Sequence, residues 1–474
     1  MLIVYTLLAL FLLVCFIDWR KGIFVCLVIG FLQDPLRKLV VGEPVYFTVL
    51  VIPYILVTLL GAISSVRSFR LGYILKMYSG LKLPFWIFTL IVLVQAVRGW
   101  VATGNMAIFG IGFLGYFAPL PASLLAFHYS VRSGNMVRFL KFYVIIGAIF
   151  ISGVYAEAMG FDWPILGNVG ESLYFYLGGP KVLHAGIMRS PEISAWHGAM
   201  VTMLGLVCFL LSPPGLRRYL WLIFSGIALT AIIFTGRRKG FAEVGLFVFI
   251  ALVLSFYGKL RFLKAYIRSI ILGGVLAVLI YQLIPFRDLF SSYDAYIARI
   301  THDVSSRSQI AWSMVFDAPK WVIRRNGLWG SGAGMGSQGA QHFGGIRTGA
   351  AAEGGLAKVL AELGVVGIGA FLWICLSLGV YFWKIIRYAR KNRFYGPLAV
   401  GLAAILLANG LNFSVAHQAF GDPFILSFLG FLLGFLLAVP LLISNQRWII
   451  NDRQRTTRYY RPSSMTRRPP SVVH

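Results

Sequence analysis

Acidic residues are scarce in this chain: 16 Asp and Glu stand against 43 Lys and Arg over 474 positions, and charged residues of both signs make up only 12% of it. Soluble domains carry roughly a quarter charged residues, so a water-soluble globular protein is excluded. Cysteine is scarce as well, and Cys15, Cys26, Cys208 and Cys375 all fall inside apolar runs, which argues against an external disulfide framework or a thiolate metal site. The N-terminus has no basic region followed by a small-residue cleavage site, so residues 1–17 read as a retained first span. No repeat period, Ser-His-Asp set or metal-ligand cluster is visible, and neither a metal nor another cofactor is expected.

What the chain has in abundance is apolar sequence, at 58% hydrophobic residues. Runs at 2–17, 23–33, 46–63, 84–97, 106–127, 139–155, 194–212, 219–235, 241–257, 267–285, 355–383, 397–411 and 423–443 predict an all-α, polytopic transmembrane helical bundle of about 12–13 spans. The bundle covers residues 1–445. Residues 446–474, rich in Arg, Ser and Pro, read as a basic, disordered cytoplasmic tail that rests on anionic lipid. The formal charge of +27 invites a nucleic-acid reading, but the cations sit in short connections, at 20–21, 67–82, 132–141, 217–218, 259–268 and 384–393. That is the positive-inside pattern, which makes nucleic acid an unlikely partner in charge terms and membrane lipid the natural one.

With those connections cytoplasmic, the larger external loops are 156–193, 236–240, 286–354 and 412–422. Much of the chain's polar chemistry collects from Ile284 to Gly364. Ile310, Met314, Val315, Ala318 and Val322 recur at helical spacing there, with Trp312, Trp321 and Trp329 spread along the segment, as in a helix lying flat at the water interface. The run Gly330-Ser331-Gly332-Ala333-Gly334-Met335-Gly336 is no nucleotide loop, since no Gly-Lys-Ser/Thr follows it; it reads as a hinge, or as close backbone approach to a bulky ligand.

Against the positive-inside rule, Arg237-Arg238-Lys239 puts three cations on the external side. Cations retained there need an anion, and an arginine fork fits a phosphate or pyrophosphate at headgroup depth; snorkelling helix ends are the plainer alternative. Arg189, at the entrance to the span from Ser194, either meets the same anion or pairs with Glu192. Arg307 is a further candidate ligand. His342 and Glu353 are candidate bases for a transfer to a hydroxyl, while Glu353 could equally serve the helix dipole. His197 reads as a packed, hydrogen-bonded histidine, and Lys358 and Glu362, four apart, read as mutually neutralising.

In their order these elements resemble the O-antigen ligase and O-antigen polymerase family of membrane-embedded glycosyltransferases. The resemblance runs from about Arg189 to Gly367. It rests on an external Arg before a span, the turn Gly236-Arg237, Arg307 followed by Trp312, Gly330, Gly332 and Gly334, and the stretch Ala361-Glu362-Leu363-Gly364-Val365-Val366-Gly367. It implies metal-independent transfer of a glycan from an undecaprenyl-pyrophosphate donor to a glycan acceptor at the outer face of a bacterial inner membrane, alongside polysaccharide export machinery. Arg189 and Arg237 would hold the donor's pyrophosphate, with Arg238 beside them. Ligase members place a His just before the final helix start, where this chain has Glu353, with His342 earlier; that favours a polymerase-type enzyme over a ligase. A transporter or anion permease is the alternative from another class, and would show broken helices or polar groups near mid-membrane.

Overall fold

The computed structural model describes residues 2–66, 69, 71–131, 134–169, 173–176, 179–258, 263–283, 317–337 and 354–459. The chain is an all-α polytopic bundle. It begins with α1 (Leu2–Ile17), then α2 (Trp19–Leu39), α3 (Val51–Ser65), the short α4 (Leu71–Met77), α5 (Lys82–Thr103), α6 (Met106–Phe117), α7 (Pro119–Tyr129) and α8 (Asn135–Ala158). A hairpin of β1 (Leu173–Tyr176) and β2 (Gly179–Val182), with Leu173 opposite Val182, interrupts the helices. There follow α9 (Pro191–Leu211), α10 (Tyr219–Thr235), α11 (Arg238–Tyr257), α12 (Leu263–Leu283), α13 (Gly355–Ala389), α14 (Tyr395–Val415) and α15 (Pro423–Tyr459).

Among the described residues, ten helices are long and apolar enough to cross a membrane. The thirteen runs of the sequence also include α1, whose apolar part is shorter, α2, which carries Gln33, Asp34, Arg37 and Lys38 near its end, and α12. Large apolar side chains such as Leu90, Phe249 and Leu376 point outward, as a lipid-facing surface requires. Turn chemistry matches the helix ends. Asp18 accepts hydrogen bonds from the backbone N–H groups of Arg20 and Lys21 to start α2, Asn105 does the same for Ala107 to start α6, and Gly236 ends α10 in the left-handed region at φ 64°. One boundary moves: α15 continues to Tyr459, past residue 446. Arg, Gln and Ile favour helix and Pro462 is the first proline after Pro440, so nothing in 446–459 breaks the turn.

The most enclosed helix is α9, with α8, α10, α11 and α14 packed around it. Its polar groups are satisfied internally. His197 Nδ1 meets Tyr143 Oη at 2.8 Å, Trp196 Nε1 donates to Asn409 Oδ1 at 2.8 Å, and Thr202 donates to Gly198 O. His197 is thus the packed, hydrogen-bonded residue its position suggested.

The glycine run is not a hinge. Its segment is threaded between α5, α6 and α13 at a break in α13, where Gly364 adopts φ 72° and ψ −173°. A broken helix leaves amides and carbonyls that lipid cannot satisfy, and the run takes them up. Ser331 N donates to Ala361 O at 2.7 Å, Gly332 N to Glu362 O at 3.1 Å and Val365 N to Leu328 O at 2.9 Å, while Ala333 N reaches across to Gln95 O at 2.9 Å. A Cβ on Gly332 would stand 2.6 Å from the backbone nitrogen of Gly99. Glycine is therefore needed for approach and for φ, not for motion.

Candidate functional site

The turns before α9, α11, α13 and α15 gather at one end of the bundle, together with the C-terminal ends of α2, α5 and α14. Arg189 sits at their centre. Its Nη1 meets Asp34 Oδ1 at 2.8 Å and its Nη2 meets Asp422 Oδ2 at 2.7 Å, while its backbone N–H donates to Asp34 Oδ2 at 3.1 Å. Asp422 also accepts from Phe424 N at 2.6 Å, capping α15, and from Gln33 Nε2 at 3.2 Å. Burial works against the Arg189 charge, and the attraction of Asp34 and Asp422 more than offsets it, so its pKa lies above the ordinary arginine value. One guanidinium thereby ties α2, α9 and α15 together.

The pairing of Arg189 with Glu192 does not occur. Glu192, in the first turn of α9, instead forms an ion pair with Arg237. This pairing follows from the fold, because Gly236 swings the α10–α11 turn over the start of α9. Both members are partly exposed, at 18% and 20% of their side chains, so water and ligand reach them.

Two cavities open around this clasp. The first holds about 290 Å³ and is lined by Glu192, Arg237, Arg238, Lys239, Glu243, Asn412 and the wall residues Trp196 and Phe420. Glu243 projects from the second turn of α11 and is 1% exposed. Its Oε2 accepts from Asn412 Nδ2 at 2.7 Å, and its Oε1 has no hydrogen-bond partner among the described residues. The second cavity holds about 430 Å³ and carries Arg37, Arg189, Lys358 and His417, with no carboxylate among the described residues that line it. Its opposite wall is apolar, from Val45, Val49, Ile111 and Leu114, with open space above Gly110 and Gly115 of α6. Gln418 borders both cavities, so they lie on either side of one short loop.

Lys358 and Glu362 do not neutralise each other. Glu362 accepts from Tyr116 Oη at 2.6 Å and from Gly336 N at 3.0 Å, locking the glycine run to α6 and α13, while Lys358 faces the second cavity. The packing of the run draws the Glu362 carboxylate one way and leaves the ammonium to the cavity.

Of the sequence candidates, the structure brings Arg237 and Arg238 into one cavity and Arg189 into the wall of its neighbour. Arg307, His342 and Glu353, with Trp312, lie outside the described residues. Of the loop 286–354 the described part includes a helical stretch at 317–326, where Val322 packs with Ala357 and Leu360 of α13 and Trp321 stacks under Arg325 at 5.1 Å. Sequence reading passed over Asp34, Arg37 and Glu243. For Glu243 the signal was there: a lone carboxylate inside an apolar run is costly and implies a role. No local pattern marks Asp34, because its partner Arg189 stands 155 residues away, and Arg37, whose Nε donates to Glu43 O, reads as an ordinary helix-end cation. Among the described residues no cluster of His, Cys, Asp and Glu could hold a metal ion. No protein-family model matches the chain, and no curated protein matches it.

Proposed function

We propose that the chain is a multi-pass glycosyltransferase of a bacterial inner membrane that polymerises or transfers undecaprenyl-pyrophosphate-linked glycan repeat units at the outer face. The observation that carries this reading is the second cavity, where cations, with no carboxylate among the described lining residues, share the space with an aliphatic wall. Lys358 and Arg37 supply positive charge, and the open strip over Gly110 and Gly115 gives a prenyl chain a path along α6. A lipid pyrophosphate is recognised by this combination, since its head needs cations and its tail needs an apolar surface. Arg189 serves the site chiefly as the clasp that positions the loop 416–422, since Asp34 and Asp422 already oppose its charge.

The first cavity lies beside the donor's head and takes the acceptor. Arg237, Arg238 and Lys239 stand where negative charge develops on the leaving pyrophosphate, and charge already in place there lowers the barrier without reorganisation. The bound glycans are then ordered by the external loop, whose described part includes the helix 317–326.

The break in α13 is the feature a transporter would use. Its backbone groups are taken up by the glycine run, so they are spent on structure and line no ion path. The test is direct: purified protein in lipid is incubated with a lipid-linked oligosaccharide and the products are sized. Longer lipid-linked chains support a polymerase, glycan on another lipid or on protein indicates a ligase, and unaltered substrate rejects transfer.

A further inference from the structure

Glu243 is the buried group whose chemistry the fold does not consume. Burying a carboxylate is expensive unless it is paired and hydrogen-bonded, yet Asn412 holds only Oε2, and Oε1, buried in a side chain that lines the first cavity, has no hydrogen-bond partner among the described residues. The second turn of α11 sets it inward of Arg237, Arg238 and Lys239, which line the same cavity. A structural carboxylate would have both oxygens satisfied, as Glu362 does with Tyr116 and Gly336.

Resting on the transferase reading, we infer that Glu243 is a catalytic base: its Oε1 receives the proton of the acceptor hydroxyl in the first cavity. The acceptor oxygen forms the new C–O bond at the donor's anomeric carbon as the bond from that carbon to the phosphate oxygen breaks. The lipid pyrophosphate departs with the bonding electron pair, and the proton stays on Glu243 until solvent takes it. Asn412, through its amide N–H on Oε2, is the positioning residue that turns the other oxygen toward the cavity.

The experiment uses the full chain in lipid nanodiscs with a lipid-linked oligosaccharide, and follows both chain elongation and donor binding. Wild-type protein that elongates no donor overturns the transferase reading itself. Where the wild type is active, Glu243→Gln should lower turnover about 100-fold or more, the usual worth of a positioned base, with donor affinity unchanged. Glu243→Gly should recover turnover with added formate, which fits a 290 Å³ cavity and replaces the missing carboxylate. Turnover in Glu243→Gln equal to wild type overturns the inference, and so does a loss that formate leaves untouched while donor binding falls with it. If the amide disturbs packing, Glu243→Asp decides: it keeps the charge and shortens the reach, so reduced turnover at an unchanged melting temperature supports the base, and full turnover rejects it.

Discussion

Arg189 holds the Asp422 carboxylate at 2.7 Å, joining the entrance of α9 to the cap of α15 across about half the length of the chain. With Asp34 at 2.8 Å on the other guanidinium nitrogen, the three groups form a buried cluster in which each charge depends on the others. Removing the cation would leave two buried carboxylates facing each other, a loss of roughly 3–5 kcal/mol for a broken buried pair. Arg189→Ala should therefore lower the melting temperature in detergent by many degrees. Arg189→Lys should rescue little, because an ammonium lacks the fork that serves both carboxylates. A melting temperature equal to wild type in Arg189→Ala would show that the clasp holds nothing.

The glycine run separates packing from flexibility in a second test. Gly332 sits at φ 112° with the Gly99 backbone where its Cβ would go, whereas Gly245, in the middle of α11, has open space around it. Gly332→Ala should destabilise the protein severely or prevent its purification. Gly245→Ala should be neutral or slightly stabilising, as alanine exceeds glycine in helix propensity by about 1 kcal/mol. Equal stability of the two variants would restore the hinge reading of the run.

The bundle was legible in the sequence because lipid demands long apolar helices, and one solvent requirement fixes both length and composition. The cation-rich turn at Arg237-Arg238-Lys239 was legible because it departs from the alternation of basic and poorer connections along the sequence. What could not be read is pairing. Glu192 is three residues from Arg189 and binds Arg237; Glu362 is four from Lys358 and binds Tyr116. Local spacing offers a partner to each of these charges, and tertiary packing supplies a better one. The glycine run misleads for the same reason, since flexibility is what glycine does in water and close approach is what it does between helices.

The alternation of helices places the turn at Lys239 and the turn at Arg390 at opposite ends of the bundle, since α11, α12 and α13 run between them. Reporter fusions in a bacterial host should then read opposite compartments, with the alkaline phosphatase reporter active at Lys239 and a cytoplasmic reporter active at Arg390. The same compartment for both would overturn this topology, and the two readings exchanged would move the site to the cytoplasmic face.

Lys358 offers the sharpest test of the second cavity, because it stands in the first turn of α13, 9% exposed, with the cavity in front of it and Glu362 engaged elsewhere. A partly desolvated ammonium contributes a charge-assisted contact to a phosphate oxygen of about 1.5–3 kcal/mol, which corresponds to at least a tenfold change in affinity. Lys358→Ala should weaken binding of undecaprenyl pyrophosphate in nanodiscs by that factor, and Lys358→Glu by more, since it sets a carboxylate against the anion. Undecaprenol, with the tail and no phosphate, should bind both variants as it binds the wild type. Equal loss for the alcohol would move the lysine's role from the phosphate to the shape of the cavity, and undiminished binding of the pyrophosphate would remove this cavity as the donor's seat.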